Sequence, residues 1–440
     1  MRSSGPVWKR IRSCALLAIA LLGSPTVIRP QSNTSAPGAA ANRTIDAFFA
    51  TTPFSTWLGT NPKPQIPWRV QILPTDLSYY QRIHLRVFFQ VAGKQVWKRV
   101  PQGGLAFLYQ VTDASGGVFQ DHLLLKPQDL EKGVKKGNLE VTENMLVVPG
   151  AYQLDVALYD LKTGEYSFQR QRVDVPLLDN DSLPNAWPDA PHVQFFEPDD
   201  PGFKIFAAPS PVRLNLPLNT QREVHLHVIF DFTVPARAAN SRSFYYDWLS
   251  ARLGEIAALT QIHCGHGGVE IEIVDAAHGT VVFEQKDAAI FDWQSFQQKI
   301  SSIDPTKVDL STLQHSVDGN VFLYRTLQSS FDQASSVSAD GSKPLNVYIF
   351  AASLFVSAPA PFTLPAGTDC VIYYIYTRMQ PPPPQESAAR NSHPRAPAPV
   401  PHTFSGAELL DPLHPQFFQA GSPEEFRRAL GKMLSELSGH

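Results

Sequence analysis

The sequence predicts a two-domain chain, an all-β unit followed by an α/β unit. Three observations predict it. At 440 residues the chain exceeds what one hydrophobic core usually fills. Between Trp68 and Pro176, short β-branched and aromatic runs recur between turn signals. After Val224, strand-like and helix-like periods alternate instead. A hydrophobic fraction of 43% is enough for real cores and excludes a wholly disordered chain. With 37 basic and 40 acidic residues the net charge is −3, which excludes a nucleic-acid binder working through a broad positive field.

Residues 1–30 read as a signal peptide. Arg2, Lys9, Arg10 and Arg12 precede the nine-residue apolar run Cys14–Leu22. That run is too short to span a bilayer, where roughly 20 residues are needed. The expectation is a secreted or periplasmic protein with no stable membrane insertion after cleavage. Cys264 and Cys370 would then be its only cysteines, in an oxidising compartment. Residues 31–64 are expected to be a flexible spacer, since the Ser/Thr/Ala/Pro/Gly-rich start carries no apolar period. Asn33 and Asn42 open glycosylation triplets, which matter only in a eukaryotic source.

Residues 65–176 are expected to form an immunoglobulin-like β-sandwich. Strands are read at about 68–73, 83–91, 105–112, 118–125, 139–147, 152–159 and 166–175. Alternation is clear in Ile83–Val87 and Leu154–Leu158, the pattern of strands with one wet face. Asp113–Gly117 and Asp160–Gly164 supply the Asp and Gly that tight hairpins require. About seven strands in this span suggest the sandwich, without an internal cysteine pair. Lys94, Trp97, Lys98 and Arg99 are read as a solvated hairpin, and Glu131–Lys136 as a solvated loop.

Residues 177–220 hold eight prolines with Trp187, Phe195, Phe196, Phe203 and Phe206, and are read as an ordered aromatic connector. In residues 221–440, Val224–Asp231 is a near-continuous apolar strand ending in an acid, the look of a buried parallel strand. A helix follows at 244–262, then strands at 269–274 and 280–284 around the turn Asp275–Gly279. Helices at 293–303 and 320–334 lead to strands at 345–350, 370–376 and 416–419. Ser422, Pro423 and Glu425 mark the start of a last helix reaching Leu437. Residues 380–403, with Pro381–Pro384 and Ala/Pro repeats, are expected to be a disordered insert.

On this order of elements, residues from about 222 to 437 resemble a von Willebrand factor type A domain. The likeness lies in Ile229–Thr233, the hairpin pair, Phe322–Leu327 and Phe417–Phe426. With a signal and an upstream β-module, the chain is similar to secreted bacterial A-domain-related proteins. The resemblance implies a doubly wound sheet in which the 224–231 and 269–274 strands are neighbours. It also implies two strands between the latter and the Cys370 strand. Such domains bind a divalent metal through Asp-x-Ser-x-Ser, a later Thr and an Asp after the fourth strand. Here the first motif reads Asp231-Phe232-Thr233-Val234-Pro235, the Thr position falls on Asn320 or Val321, and the fourth strand ends in Ala351 and Ala352. Two or three ligands do not hold Mg²⁺ well, so no metal or cofactor is expected there. Asp231 and Thr233 remain as a ligand-facing remnant of the family site, or as loop-ordering groups.

A second cluster is denser. His225 and His227 share one face of their strand, and His263, Cys264 and His266 precede the next strand. Zinc prefers such nitrogen and sulfur ligands. The rival readings are a Cys264–Cys370 disulfide and groups that stay unlinked. No Gly-x-Ser-x-Gly elbow, phosphate loop or His-Glu-x-x-His motif occurs. The sequence therefore predicts a non-catalytic, extracytoplasmic module that binds an as yet unnamed protein partner and no nucleic acid. The alternatives are a metal-dependent hydrolase or an envelope assembly component.

Overall fold

The computed structural model describes residues 38–59, 63–100, 103–125, 130, 132–195, 213–220, 222–234, 242–286, 290–300, 316–334, 343–352, 362–377, 410 and 413–439. The signal expected at 1–30, the insert expected at 380–403, and Pro235, Phe196, Phe203 and Phe206 lie outside them. The chain is β-rich, with four sheets and seven helices among the described residues. Contacts divide it into two units. The first takes the described residues of 1–76, 82–179 and 190–211; the second takes 77–81, 180–189 and those of 212–440.

In the first unit, β1 (Trp68–Ile72), β3 (Ile83–Ala92), β6 (Asn138–Val147) and β9 (Val193–Phe195) form one antiparallel sheet in that order. The two-residue β2 (Asp76–Leu77) also pairs with β3. A second antiparallel sheet runs β5 (Val118–Leu125), β4 (Leu105–Asp113), β7 (Gly150–Asp160) and β8 (Tyr166–Val175). The seven strands read from the sequence are all present, each within two residues of its expected bounds. The sheets face each other: the Phe89 ring lies 5.4 Å from Phe107 and 5.3 Å from Tyr109. The alternating burial of β3 follows directly from Ile83, Leu85, Val87, Phe89 and Val91 on its inner face.

Two expectations fail here. The spacer is not a free tether along its whole length, because α1 (Gly38–Thr51) and α2 (Phe54–Trp57) are helical. Phe49, Phe54 and Trp57 bury against Ala106, Leu108, Ala157 and Phe168, the outward face of the second sheet. That sheet is therefore apolar on both faces, and the helices remove the outer one from water. Nor is 93–99 a hairpin: it is the helix α3 (Gly93–Arg99). Arg99 is buried, 3.3 Å from Asp160 and 2.5 Å from Glu165. Lys132–Lys136 makes a 3₁₀ turn against it. Any Cβ at Gly93 would sit 1.7 Å from the Val134 carbonyl oxygen, so only glycine allows this approach.

The connector contributes β9 and β10 (Leu216–Leu218). The second unit is built on a six-stranded sheet ordered β14 (Thr280–Gln285), β13 (Gly267–Asp275), β11 (Val224–Asp231), β15 (Leu345–Ala352), β16 (Asp369–Tyr376), β17 (Gln416–Gln419). All pairs are parallel except β13–β14. Both faces are covered. On one, α6 (Ser316–Asp332) packs Leu323, Leu327 and Phe331 over Ile229, Tyr348, Phe350 and Tyr374. On the other, α4 (Arg242–Leu259) sets Trp248 5.0 Å from Phe232, and α7 (Pro423–Leu437) lays Lys432 over Phe418. The expected cap of α7 is present: Ser422 Oγ accepts from the Glu425 amide at 3.2 Å, and the Glu425 carboxylate accepts from the Gly421 amide at 2.7 Å. The short α5 (Trp293–Ile300) buries Trp293 and Phe296.

β12 (Ile262–Cys264) leaves the main sheet and pairs in parallel with β10, Leu218 opposite Cys264. Four strands of two or three residues, β2, β9, β10 and β12, are too short to show a period in the sequence.

Candidate functional site

The order of strands reverses at β11, whose neighbours are β13 and β15. Open α/β sheets bind ligands at the carboxyl ends of strands flanking such a point. Three strand ends meet there. β11 ends in Asp231, β13 in Asp275, and β15 in the buried Ala351 and Ala352.

Asp231 is 5% exposed, and its Oδ1 accepts from the Thr233 amide at 3.1 Å and the Thr233 hydroxyl at 2.5 Å. The Thr233 oxygen in turn accepts from the amides of Ala276 at 2.8 Å and Ala277 at 3.3 Å. A single run of hydrogen bonds thus laces the end of β11 to the turn after β13. Asp275 organises that turn from within, its carboxylate meeting His278 Nδ1 at 2.6 Å and the His278 amide at 3.3 Å. Burial pushes the Asp231 carboxyl up, against the pull of the Thr233 hydrogen bonds and the nearby Arg252.

Arg252 on α4 closes the neighbouring end of β16. Its guanidinium donates to Glu255 at 2.7 Å, to the Thr377 hydroxyl and, at 3.2 Å, to the Thr377 carbonyl, and lies over the Phe230 ring at 5.7 Å. Burial raises Glu255 to about 7 although Arg252 opposes it.

Val321 offers no oxygen, and the side chain of Asn320 lies outside the description. Among the described residues, no three His, Cys, Asp or Glu side chains converge as a metal-holding group. The structure thus brings Asp231 and Thr233 together and gives them hydrogen-bond partners in the chain itself.

The histidine–cysteine cluster does not assemble. His225 meets Glu223 at 3.1 Å, and His227 meets Glu270 at 3.1 Å while stacking on Tyr348 at 4.7 Å. His263 and Cys264 depart with β12, and His266 is exposed. Gly267, which follows this segment, has a φ of +113°, and a Cβ there would lie 1.9 Å from the Val224 carbonyl oxygen, so only glycine fits. Both cysteines are free thiols, Cys264 raised to about 11 by burial.

A trough that sequence reading missed lies on the α6 side of β11, β13 and β14. One end, about 140 Å³, is lined by His225, His227, Glu270 and Lys286. The other, about 360 Å³, runs between Glu272 and Glu284 on the sheet and Arg325, Thr326 and Ser330 on α6. Lys286 lies 3.6 Å from Glu270 and 3.3 Å from Glu284. Burial, then Glu284 and Glu270, raise Glu272 to about 7. The only signal was the alternation of Glu270 and Glu272, which also fits a plain solvated strand face.

No family model matches the chain, and no curated protein matches it. Among solved structures it is similar to Northeast Structural Genomics Consortium target SoR45, at 11% identity and TM-score 0.16, over 26% of this chain and 89% of that one. It is also similar to chitinase ChiW from Paenibacillus sp. str. FPU-7, a bacterial cell-surface-expressed multi-modular enzyme. That likeness has 9% identity and TM-score 0.16, over 66% of this chain and 17% of the chitinase. Likenesses this loose carry no argument about fold or function. No helix among the described residues is long and apolar enough to cross a membrane.

Proposed function

We propose that this protein is a secreted or periplasmic, non-catalytic binding module for a protein partner. It consists of an immunoglobulin-like sandwich followed by a von Willebrand A-like domain whose divalent metal site has been lost. The reading of the second domain is supported by its strand order. β11 and β13 are neighbours, and β11 and β15 lie between β13 and the Cys370 strand β16, as the resemblance implies. Loss of the metal site rests on the chain of hydrogen bonds from Asp231 through Thr233 to Ala276 and Ala277. It engages Asp231 Oδ1 and the Thr233 hydroxyl, two of the oxygens that the family motif would offer a cation. The alanines ending β15 supply no third. One carboxylate and one hydroxyl fall far short of the shell that a hard cation requires.

The test is affinity capture by the mature chain from extracytoplasmic extract, followed by calorimetry with the purified partner. We expect one protein held in stoichiometric amount, with the same Kd in EDTA and in Mg²⁺. Hydrolysis of generic ester or phosphate substrates, lost in EDTA and without any retained partner, would replace the binder with a metal-dependent hydrolase.

A further inference from the structure

The trough beside α6 in the second unit has two walls of different chemistry. The sheet wall follows from strand alternation. Glu270, Glu272 and Val274 share one face of β13, and β14 sets Glu284 directly opposite Glu272. Val274 is fully buried in the core with Leu323 and Leu327, whereas Glu272 is part-buried and lines the open space. The helix wall follows from the period of α6. Leu323, Leu327 and Phe331 recur every four residues and pack into the core. The adjoining stripe places Arg325, Thr326 and Ser330 along the trough.

Most charges here are matched within the chain. Lys286 meets Glu284 at 3.3 Å and Glu270 at 3.6 Å, and His227 meets Glu270 at 3.1 Å. Two are not. Among the described residues, the side chains of Glu272 and Arg325 make no ion pair and no hydrogen bond. Glu272 also faces Glu284 as a like-charge pair, an arrangement that costs a strand pair stability. A carboxylate and a guanidinium thus stand on opposite walls of a space of about 360 Å³ without pairing. That volume falls within the range of small-ligand sites. We infer that the trough holds one small zwitterion, its ammonium on Glu272 and its carboxylate on Arg325. This chemistry is shared by a free amino acid and a short peptide.

The two walls select that ligand together. A purely cationic guest would leave Arg325 unmatched and be repelled by it, and a purely anionic one would meet three carboxylates. An ammonium has three donors, and Glu272 and its neighbour Glu284 offer them acceptors from one side. The guanidinium presents a planar fork to a carboxylate, with the hydroxyls of Thr326 and Ser330 on the same wall as further donors. A bare metal ion does not fit, because no three His, Cys, Asp or Glu side chains among the described residues converge to hold one.

The test is calorimetry on the full chain with L-alanine, L-glutamine, L-leucine and tri-L-alanine, each at up to ~10 mM. At least one should bind in a one-to-one ratio. Binding of an amino acid marks the free form as the source, and binding of tri-L-alanine alone marks a peptide. Ethylamine and propionate, which carry one of the two charges each, should bind about tenfold more weakly or worse. Glu272→Gln and Arg325→Gln should each weaken the zwitterion about tenfold or more, while the far-ultraviolet spectrum and cooperative melting stay native. A wild-type chain silent to all four probes would overturn the proposal. So would binding that survives both substitutions, or ethylamine held as tightly as the zwitterion.

Discussion

Trp57→Ala should destabilise the first unit by about 3–5 kcal/mol, the usual cost of emptying a buried tryptophan site. Trp57 is 3% exposed, stacks on Tyr166 at 4.2 Å and meets Tyr159 at 5.4 Å. Its neighbours Phe49 and Phe54 close the same apolar layer over Phe168. Removing the indole leaves a void between α2 and the sheet that α1 cannot fill without unwinding. The melting temperature of this unit should fall by roughly 10 °C. A Trp57→Ala chain melting like the wild type would mean that residues 38–57 are the spacer that composition suggests.

Arg427→Ala should destabilise the second unit by about 3 kcal/mol, because it removes a buried guanidinium and strands the half-buried Asp181. Arg427 is 3% exposed and donates to both oxygens of Asp181, at 2.5 and 2.9 Å. It donates also to the Leu183 carbonyl at 2.8 Å and the Gln81 carbonyl at 3.4 Å, and its guanidinium lies 4.5 Å over Trp187. The Trp187 indole donates to the same Gln81 carbonyl at 2.7 Å. Against the upward push of burial, the Arg427 hydrogen bonds hold the Asp181 carboxyl below its usual range. Lysine cannot reproduce the fork, so Arg427→Lys should recover less than half of the loss. Urea unfolding of both variants measures this directly. Equal stability of wild type and Arg427→Ala would reduce the cluster to a surface ornament of α7.

What could be read from the sequence follows from the range of the interactions involved. The seven longer strands of the first unit, the cap of α7 and the turn at Asp275–Gly279 are written in neighbouring residues and were legible, whereas the two- and three-residue β2 and β9 were not. The helices at 38–57 were hidden because Ser, Ala and Pro at 31–41 set the composition, while Ile45, Phe48, Phe49, Phe54 and Trp57 carried the burial. Arg99 read as solvated because its partners Asp160 and Glu165 lie some 60 residues onward. β12 was lost because three residues show no period, and its pairing with β10 is a tertiary fact. Glu272 and Arg325 sit in a strand and a helix that look ordinary until both are seen to line one cavity. At the strand ends, the close spacing of Asp231 and Thr233 already allowed a loop-ordering role, and the hydrogen bonds show the partners involved.

The central claim is that the chain's own amides, not a metal, occupy Asp231 and Thr233. Amide hydrogen exchange of the full chain in EDTA and in saturating Mg²⁺ or Mn²⁺ tests it at the atoms concerned. The amides of Thr233, Ala276 and Ala277 should be protected equally in all three buffers, and Asp231→Ala should expose them in each. Added protection in Mg²⁺ or Mn²⁺ that disappears in Asp231→Ala would contradict the account and restore a working metal site.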